Sequence, residues 1–196
     1  VYTAAQAGRK AFQTEYRLRR HDGEYRWVLE TAMPRFAAAG EFEGFIGSVI
    51  DISERRQAEE AVRESEERFR FMADAAPVMI WLDDESGMCT YFSKPWLDFT
   101  GRRLEDELGL GWFEGVHPDD REPIRAGEAA ARKALEPFRM EYRLRRKDGE
   151  YRWIFDTAHP RFTPSGGFAG YIGSSIDITD RRRAGEALAE SEARYR

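Results

Sequence analysis

The chain contains an internal repeat of domain size, and this repeat constrains the fold more than any other feature. Residues 12–70 align without a gap with residues 138–196, at a constant offset of 126 residues, and 37 of the 59 aligned positions are identical. Such a period is far longer than the roughly 20–50 residues of a solenoid repeat, so each unit should bury its own core.

The repeat predicts the division of the chain into modules. We expect the chain to begin inside one module, to contain a whole second one and to stop at the threshold of a third. The predicted segments are a truncated, three-stranded module at 1–53, a connecting helix at 54–75, a complete module at 76–178, and the start of a further linker helix at 179–196. The truncated module should expose an apolar sheet face and pair through it, because it lacks the elements that complete it.

Composition narrows the class of protein. The net charge of −5 argues against extensive binding of nucleic acid. The sequence contains no run of about 18 apolar residues, so no membrane-spanning helix is predicted. Cys89 is the single cysteine, which excludes an internal disulfide. We therefore expect a cytoplasmic segment. Any membrane anchor of the parent protein would lie outside it.

The residues from Ser53 to about Ala75 are predicted to form a charged helix with a narrow apolar stripe. The stripe has heptad spacing and comprises Ala58, Val62, Ser65, Phe69 and Met72. Two interpretations stay open: the helix pairs with a second copy in a parallel coiled coil, or it packs on its own domain.

Hydrophobic patterns over the complete module predict an α+β fold. Two short strands, Val78–Asp83 and Cys89–Ser93, precede short helical pieces and a helix that starts near Pro118 and ends near Leu135. A three-stranded meander follows, with strands at Phe138–Arg145, Tyr151–Phe162 and Phe168–Ile178. The expected result is a five-stranded antiparallel sheet with short helices on one face, flanked by long helices.

Several motifs, in this order and spacing, resemble the PAS family. They are YFSKPWLDFTGRRLEDELGLGW, VHPDD, EYRLRRKDGEYRWI, PRF and GYIGSSIDIT, followed by DRR. The resemblance covers about residues 64–182, and residues 1–53 match the later part of the same pattern. It implies a PAS fold and a sensory module that relays signals through flanking signalling helices into a histidine kinase or a cyclic-dinucleotide enzyme.

The segments IDIS and IDIT match the junction between the last strand and the signalling helix in this family. The resemblance implies that Asp51 and Asp177 anchor the two junctions. Their expected partners are the arginines at 55–56 in the first copy, and Arg181 and Arg182 in the second.

The strand at 151–162 suggests a ligand pocket. Trp153, Phe155 and His159 share one face, which is more apolar than the face with Arg152, so we expect it to point into the core. His159 replaces Met33 of the first copy, and neighbouring positions differ too. The hypothesised pocket comprises Met140, Trp153, Phe155, His159 and Ile172. The alternative is ordinary drift of a core, with the ring of His159 hydrogen-bonded near the rim of the sheet.

The cofactor stays unknown, although two classes fit the sequence poorly. Cys89 lacks the Gly-x-Asn-Cys-Arg-Phe context of light-sensing relatives, which argues against flavin photochemistry, and we expect it to be a packed thiol. His117 precedes the long helix rather than lying within it, which argues against haem and favours a capping role. No metal site is predicted.

The sequence lacks a phosphate-binding loop, a nucleophile elbow and a Ser/His/Asp set, so we expect a non-catalytic segment. The expected function is sensing of a small ligand or partner within a multi-PAS protein, whose histidine kinase domain lies outside the segment. The expected partner is a second copy, bound through the linker helices. The alternatives are a structural dimerisation spacer, or a PAS segment of a cyclic-di-GMP synthase or phosphodiesterase.

Overall fold

A computed structural model of the chain describes residues 9–194. The chain forms two compact units, one up to Arg68 and one from Phe69 onwards. Helix α1, Ser53–Ala75, runs across this boundary and has the bounds predicted from its sequence.

The first unit is a three-stranded antiparallel sheet followed by the first part of α1. Its strands are β1 (Phe12–Arg19), β2 (Tyr25–Phe36) and β3 (Phe42–Asp51), in the order β1-β2-β3. Large apolar side chains are exposed on both faces of this sheet: Met33, Ile46 and Ile50 on one face, and Val49 on the other. The prediction that this unit pairs through such a face stays a prediction.

The second unit contains five strands and several short helices. Its elements, after the end of α1, are β4 (Met79–Asp83), β5 (Cys89–Phe92), α2 (Lys94–Thr100), α3 (Leu104–Glu107), 3₁₀ turns at Gly111–Gly115 and Pro118–Asp120, α4 (Arg121–Ala134), β6 (Phe138–Arg145), β7 (Tyr151–Phe162), β8 (Phe168–Asp177) and α5 (Thr179–Arg194). The strands form one antiparallel sheet in the order β5-β4-β8-β7-β6. The predicted α+β fold, with its five-stranded antiparallel sheet, is confirmed.

Local sequence explains how α4 begins and ends. Pro118 opens the preceding 3₁₀ turn, and the ring Nδ1 of His117 accepts a hydrogen bond from the Asp119 amide at 3.3 Å. The helix ends at Leu135, whose φ of 56° is left-handed, shortly before Pro137. The capping role expected for His117 is therefore present.

The core of the second unit lies between the sheet and its short helices. Trp96, Tyr142 and Ile154 are almost fully buried. The indole of Trp81 lies so close to the backbone of Gly173 that a Cβ at this position would overlap the ring. Glycine is required there because the cross-strand neighbour occupies the space of a side chain.

The end of α1 packs on the second unit. The ring of Phe69 lies 5.5 Å from that of Tyr91, and the carboxylate of Asp74 accepts a hydrogen bond from the Lys94 amide at 2.7 Å. Val62 and Met72, from the same apolar stripe, are exposed. Only part of the apolar stripe of α1 is therefore covered by contacts within the second unit.

Within residues 9–194, no helix has the length and apolar character needed to cross a membrane.

Candidate functional site

The face of strand β7 that is buried in the interior is the opposite of the predicted face. The buried set is Arg152, Ile154, Asp156 and Ala158. The outer set comprises Trp153, Phe155 and Thr157, which are half-buried, and His159, which is exposed. The predicted face is wrong because the polar residues of the buried set have partners: Arg152 is ion-paired, and Asp156 accepts two hydrogen bonds.

The five residues of the hypothesised pocket consequently lie on two sides of the sheet. Met140 packs against the core. Ile172 belongs to the outer face, since it pairs with His159 in the ladder between β7 and β8. Phe155 and His159 line an open groove on that outer face, next to Phe138. One pocket containing all five is excluded in this structure.

The interior instead contains a small cavity of about 10 Å³, which is room for about one water molecule. It is walled by aromatic rings and by three carboxylates. The lining residues are Trp81, Asp83, Gly87, Cys89, Phe92, Trp96, Trp112, Glu128, Tyr142 and Asp156. In this conformation the cavity admits nothing larger than water.

Asp156 is a deeply buried carboxylate of the cavity, with 4% of its surface exposed. Its Oδ1 accepts hydrogen bonds from Trp81 Nε1 at 3.0 Å and from Ser175 Oγ at 2.8 Å. Burial raises the pKa of Asp156 to about 7, although both hydrogen bonds act to lower it. The side chain therefore changes charge near neutral pH.

Glu128 reaches the same cavity from α4. Burial raises the pKa of Glu128 to about 7, and the charge of Arg132 only partly opposes this. Arg132 is itself ion-paired with Asp83 and donates a hydrogen bond to the carbonyl oxygen of Asp84 at 3.3 Å. Glu128 thus shares a low-dielectric space with another carboxylate.

Cys89 is a buried thiol in the wall of this cavity. Burial raises the pKa of the thiol well above its ordinary value, and the charge of Asp83 adds to the effect. A protonated, enclosed thiol is a poor nucleophile, which agrees with the packed role expected for it.

The junction between β8 and α5 is held by Asp177 and Thr179. Asp177 Oδ1 accepts a hydrogen bond from the Thr179 amide at 2.9 Å, and Thr179 Oγ1 accepts one from the Trp153 amide at 2.8 Å. Burial acts to raise the pKa of Asp177, but hydrogen bonds from Thr179 and Arg152 outweigh it and hold the pKa below its usual value. The start of α5 is therefore tied to β7.

The arginine that partners Asp177 is Arg152, which the sequence-based prediction did not include. Its Nε lies 2.8 Å from Asp177 Oδ2, and its Nη2 lies 2.9 Å from Asp180 Oδ1. Arg182 instead bonds to Glu141 at 2.7 Å and stacks on the ring of Trp153. Arg181 is exposed. The prediction that Arg181 and Arg182 hold Asp177 is wrong, since Arg152 bonds to Asp177 and Arg182 lies against the outer face of the sheet.

The first unit repeats this junction at positions 126 residues earlier. Asp51 accepts a hydrogen bond from the Ser53 amide, and Ser53 Oγ accepts one from the Trp27 amide, both at 2.9 Å. Arg56 bonds to Glu15 and stacks on Trp27, as Arg182 does on Glu141 and Trp153. We call this arrangement the junction latch. It comprises Asp51, Ser53 and Trp27 in the first unit, and Asp177, Thr179 and Trp153 in the second.

Sequence reasoning missed Asp156, Glu128 and Arg152 as functional candidates. A signal for Asp156 was present in the repeat, because the first copy has Glu30 at this position and Val49 in place of Ser175. Glu128 lies outside the repeated segment, and nothing in its helical spacing marks it as facing a cavity.

The comparisons with known proteins agree with this fold. The family model described as the PAS fold matches residues 1–49 and 90–175, which is more than half of the chain. The chain belongs to the PAS fold family. A PAS domain is a sensory module, and this is the class that the fold and the match define.

Two curated relatives and one solved structure illustrate the similarity. An uncharacterized protein of Sinorhizobium fredii, y4lL, is 45% identical over 170 residues, which is 87% of this chain and 21% of that protein. The two-component sensor PprA of Pseudomonas aeruginosa is 32% identical over 179 residues, 89% of this chain and 19% of that protein. The chain thus spans about a fifth of the length of these relatives.

The solved structure is a sensory box histidine kinase/response regulator from Burkholderia thailandensis. It is 26% identical, with a TM-score of 0.50, and the match covers 65% of this chain and 97% of that chain.

Proposed function

We propose that the second unit is a sensor and relay module of a multi-PAS signal-transduction protein. The observation that supports this most directly is the junction latch, which joins the sheet to the helix that leaves the unit. The same latch occurs in the first unit, at the start of the helix that leads into the second. In each unit, the latch therefore ties the sheet to the first turn of the helix that follows it.

The relay works through β7 and β8. A stimulus in the interior or on the outer sheet face alters the pairing of these strands, and the contacts of Arg152 and Asp177 carry the change to the first turn of α5. Such a relay needs two populated states and a stimulus with different affinity for them.

The output that we propose is a histidine kinase outside this chain. The names of PprA and of the Burkholderia thailandensis protein support it. A cyclic-di-GMP synthase or phosphodiesterase is the alternative output. A cytoplasmic location belongs to the same proposal, and the free thiol of Cys89 supports it.

A chimaeric kinase tests the proposed function. The whole chain replaces the PAS segment of a soluble histidine kinase, joined in register through α5, and autophosphorylation is measured for the unmodified chain, Asp177→Asn and Asp51→Asn. We expect Asp177→Asn to change the activity several-fold and the matched Asp51→Asn to change it less, because only Asp177 contacts the outgoing helix. Equal activity of all three proteins would contradict the relay.

A structural spacer is the second candidate, and the nearly filled interior favours it. Native mass spectrometry of the chain purified from cells shows whether a small molecule is bound, which distinguishes a ligand sensor from a spacer. An extra mass that leaves on denaturation supports a ligand sensor, whereas a mass equal to that of the protein alone favours either a spacer or a sensor without an organic ligand.

Pairing of two copies through the linker helices is a further part of the proposal. The exposed apolar side chains of Val62 and Met72 on α1, and of Leu188 on α5, support it. Sedimentation equilibrium should give a dimer that Val62→Glu weakens, and a monomer at all concentrations would contradict pairing.

A further inference from the structure

We propose that the stimulus of the second unit is the proton: Glu128 and Asp156 take up and release a proton inside the cavity, and β7 and β8 carry the change to α5. The inference rests on the proposed relay function and specifies what that relay senses. It concerns the reaction of a carboxylate with a solvent proton to give a neutral carboxylic acid, and no other reactant is needed.

The first step is the arrangement of charge. Glu128 from α4 and Asp156 from β7 both line a cavity that has no lysine, arginine or histidine among the described residues of its wall. Two carboxylates in one poorly solvated space oppose each other's ionisation. Burial accordingly raises the pKa of each to about 7.

The other titratable groups around the cavity have an ion-pair partner or stay neutral near pH 7. Burial raises the pKa of Asp83 of β4 as well, but a hydrogen bond from the Tyr171 amide of β8 and the ion pair with Arg132 of α4 oppose this. Cys89 of β5 and Tyr142 of β6 both have pKa values raised by burial, so both remain neutral near pH 7. The walls from α2 and the first 3₁₀ turn are indole rings, from Trp96 and Trp112. Of the described carboxylates facing the cavity, Glu128 and Asp156 are therefore the two without an ion pair to a basic side chain, although the charge of Arg132 acts on Glu128.

The size of the cavity favours a proton over a larger ligand. About 10 Å³ holds about one water molecule, and an organic molecule requires the aromatic walls to move apart. A proton needs no such space, because it is passed along hydrogen bonds, and one water molecule in the cavity is enough to carry it.

The repeat supplies an internal comparison. Asp156 and Ser175 face each other in the β7–β8 ladder and share a hydrogen bond. The first copy has Glu30 and Val49 at these positions, so the hydroxyl donor has no counterpart there. The hydroxyl donor is thus particular to the second unit, whereas a carboxylate occurs at this position in both copies.

The path from the cavity to the junction is short. Arg152 lies four residues before Asp156 on the same face of β7, and Asp177 lies two residues after Ser175 on β8. Trp81 and Ser175 both donate to Oδ1 of Asp156, so a proton on Oδ2 leaves both hydrogen bonds in place but removes the charge that strengthens them. A change of protonation therefore changes the strength of the link between β7 and β8, the two strands that also carry the junction latch.

NMR on the whole chain tests the inference. Side-chain carboxyl signals of ¹³C-labelled protein are followed from pH 5 to pH 9, together with the indole N–H signals of Trp153 and Trp27. We expect a carboxyl transition between about pH 6 and 8, and a Trp153 shift with the same midpoint. Trp27 is the matched control, because it stacks on Arg56 as Trp153 stacks on Arg182, while its strand pairs Glu30 with Val49 where β7 and β8 pair Asp156 with Ser175.

Variants assign the transition. Asp156→Asn and Glu128→Gln should each abolish or displace it, and Ser175→Val, which installs the residue of the first copy, should raise the midpoint by about one pH unit because a donor to the carboxylate is lost. Carboxyl signals that all titrate below pH 5 would overturn the inference. A Trp153 indole N–H shift that does not change at the midpoint of the carboxyl transition would also overturn it. A Trp153 shift that follows the carboxyls supports the proton site even if the chimaeric kinase is unresponsive, in which case only the proposed relay function fails.

Discussion

The contacts of Arg152 at the junction allow the effect of replacing it by glutamine to be estimated. The guanidinium is 9% exposed and bridges two carboxylates, Asp177 at 2.8 Å and Asp180 at 2.9 Å. Glutamine keeps polarity but removes the positive charge and the forked donor. Asp177 would then retain its bonds within the latch and lose its ionic partner.

The size of the effect follows from the exposure of the two partners. A hydrogen bond between charged groups contributes about 1.5–3 kcal/mol when it is shielded, as the contact of Arg152 with Asp177 largely is. Asp180 is 82% exposed, so its contact adds less than about 1 kcal/mol. We expect Arg152→Gln to destabilise the attachment of α5 by about 2–3 kcal/mol. Arg26→Gln is the matched control in the first unit, where Arg26 bonds to the exposed Glu24, and should cost less than about 1 kcal/mol.

Hydrogen exchange measures this difference locally. The amide of Arg182 bonds to the carbonyl of Ile178 in the first turn of α5, and the amide of Arg56 bonds to that of Ile52 in the first turn of α1. A loss of 2–3 kcal/mol corresponds to exchange at Arg182 that is about 30- to 150-fold faster in Arg152→Gln. If Arg182 exchange rises no more than the Arg56 exchange does in Arg26→Gln, the reasoning about the buried ion pair is refuted.

Three further predictions concern the interior. Gly173→Ala should destabilise the unit by about 3 kcal/mol, because the new Cβ overlaps the indole of Trp81, whereas Gly185→Ala, in an open part of α5, should be neutral or stabilising by up to about 1 kcal/mol in urea titrations. The thiol of Cys89 should react with a thiol reagent only after denaturant unfolds the unit, and rapid labelling of the native protein would show that the wall opens. The pKa of Asp156 is higher in the folded state, at about 7, than the ordinary 3.8, so its contribution is fully favourable below about pH 4 and is lost as pH rises towards 7, by at most about 4 kcal/mol. Asp156→Asn should flatten this decline between pH 5 and pH 8, and an unchanged slope would show that Asp156 is ionised throughout.

The sequence predicted the elements of this fold well because each has a strong local signal. The hairpin at Asp148-Gly149 and the alternation of β6 set the register of the meander, and the capping residues around Pro118 set the start of α4. The repeat also predicted that both junctions would be built alike, as Asp51 and Asp177 are.

The buried face of β7 was predicted wrongly because hydrophobicity alone decided the choice. Trp153 and Phe155 are apolar yet lie on the outer face, where Trp153 stacks on Arg182. Arg152 and Asp156 are charged in water yet lie inside, since β8 and β4 supply their partners. Partners that come from distant strands are not visible in the periodicity of one strand, and the site made by Glu128 and Asp156 depends on such packing.

The central claim is that the interior of the second unit communicates with its outgoing helix. Hydrogen exchange of the Arg182 amide in Asp156→Asn, compared with the unmodified chain at one fixed pH of about 8, tests this most directly. At this pH the substitution removes a buried charge without touching the junction, and the account predicts a change of at least about fivefold in exchange at Arg182, with the Arg56 amide of the first unit unaltered. An Arg182 amide that exchanges at the same rate in both proteins, while Asp156→Asn remains folded, would contradict the account.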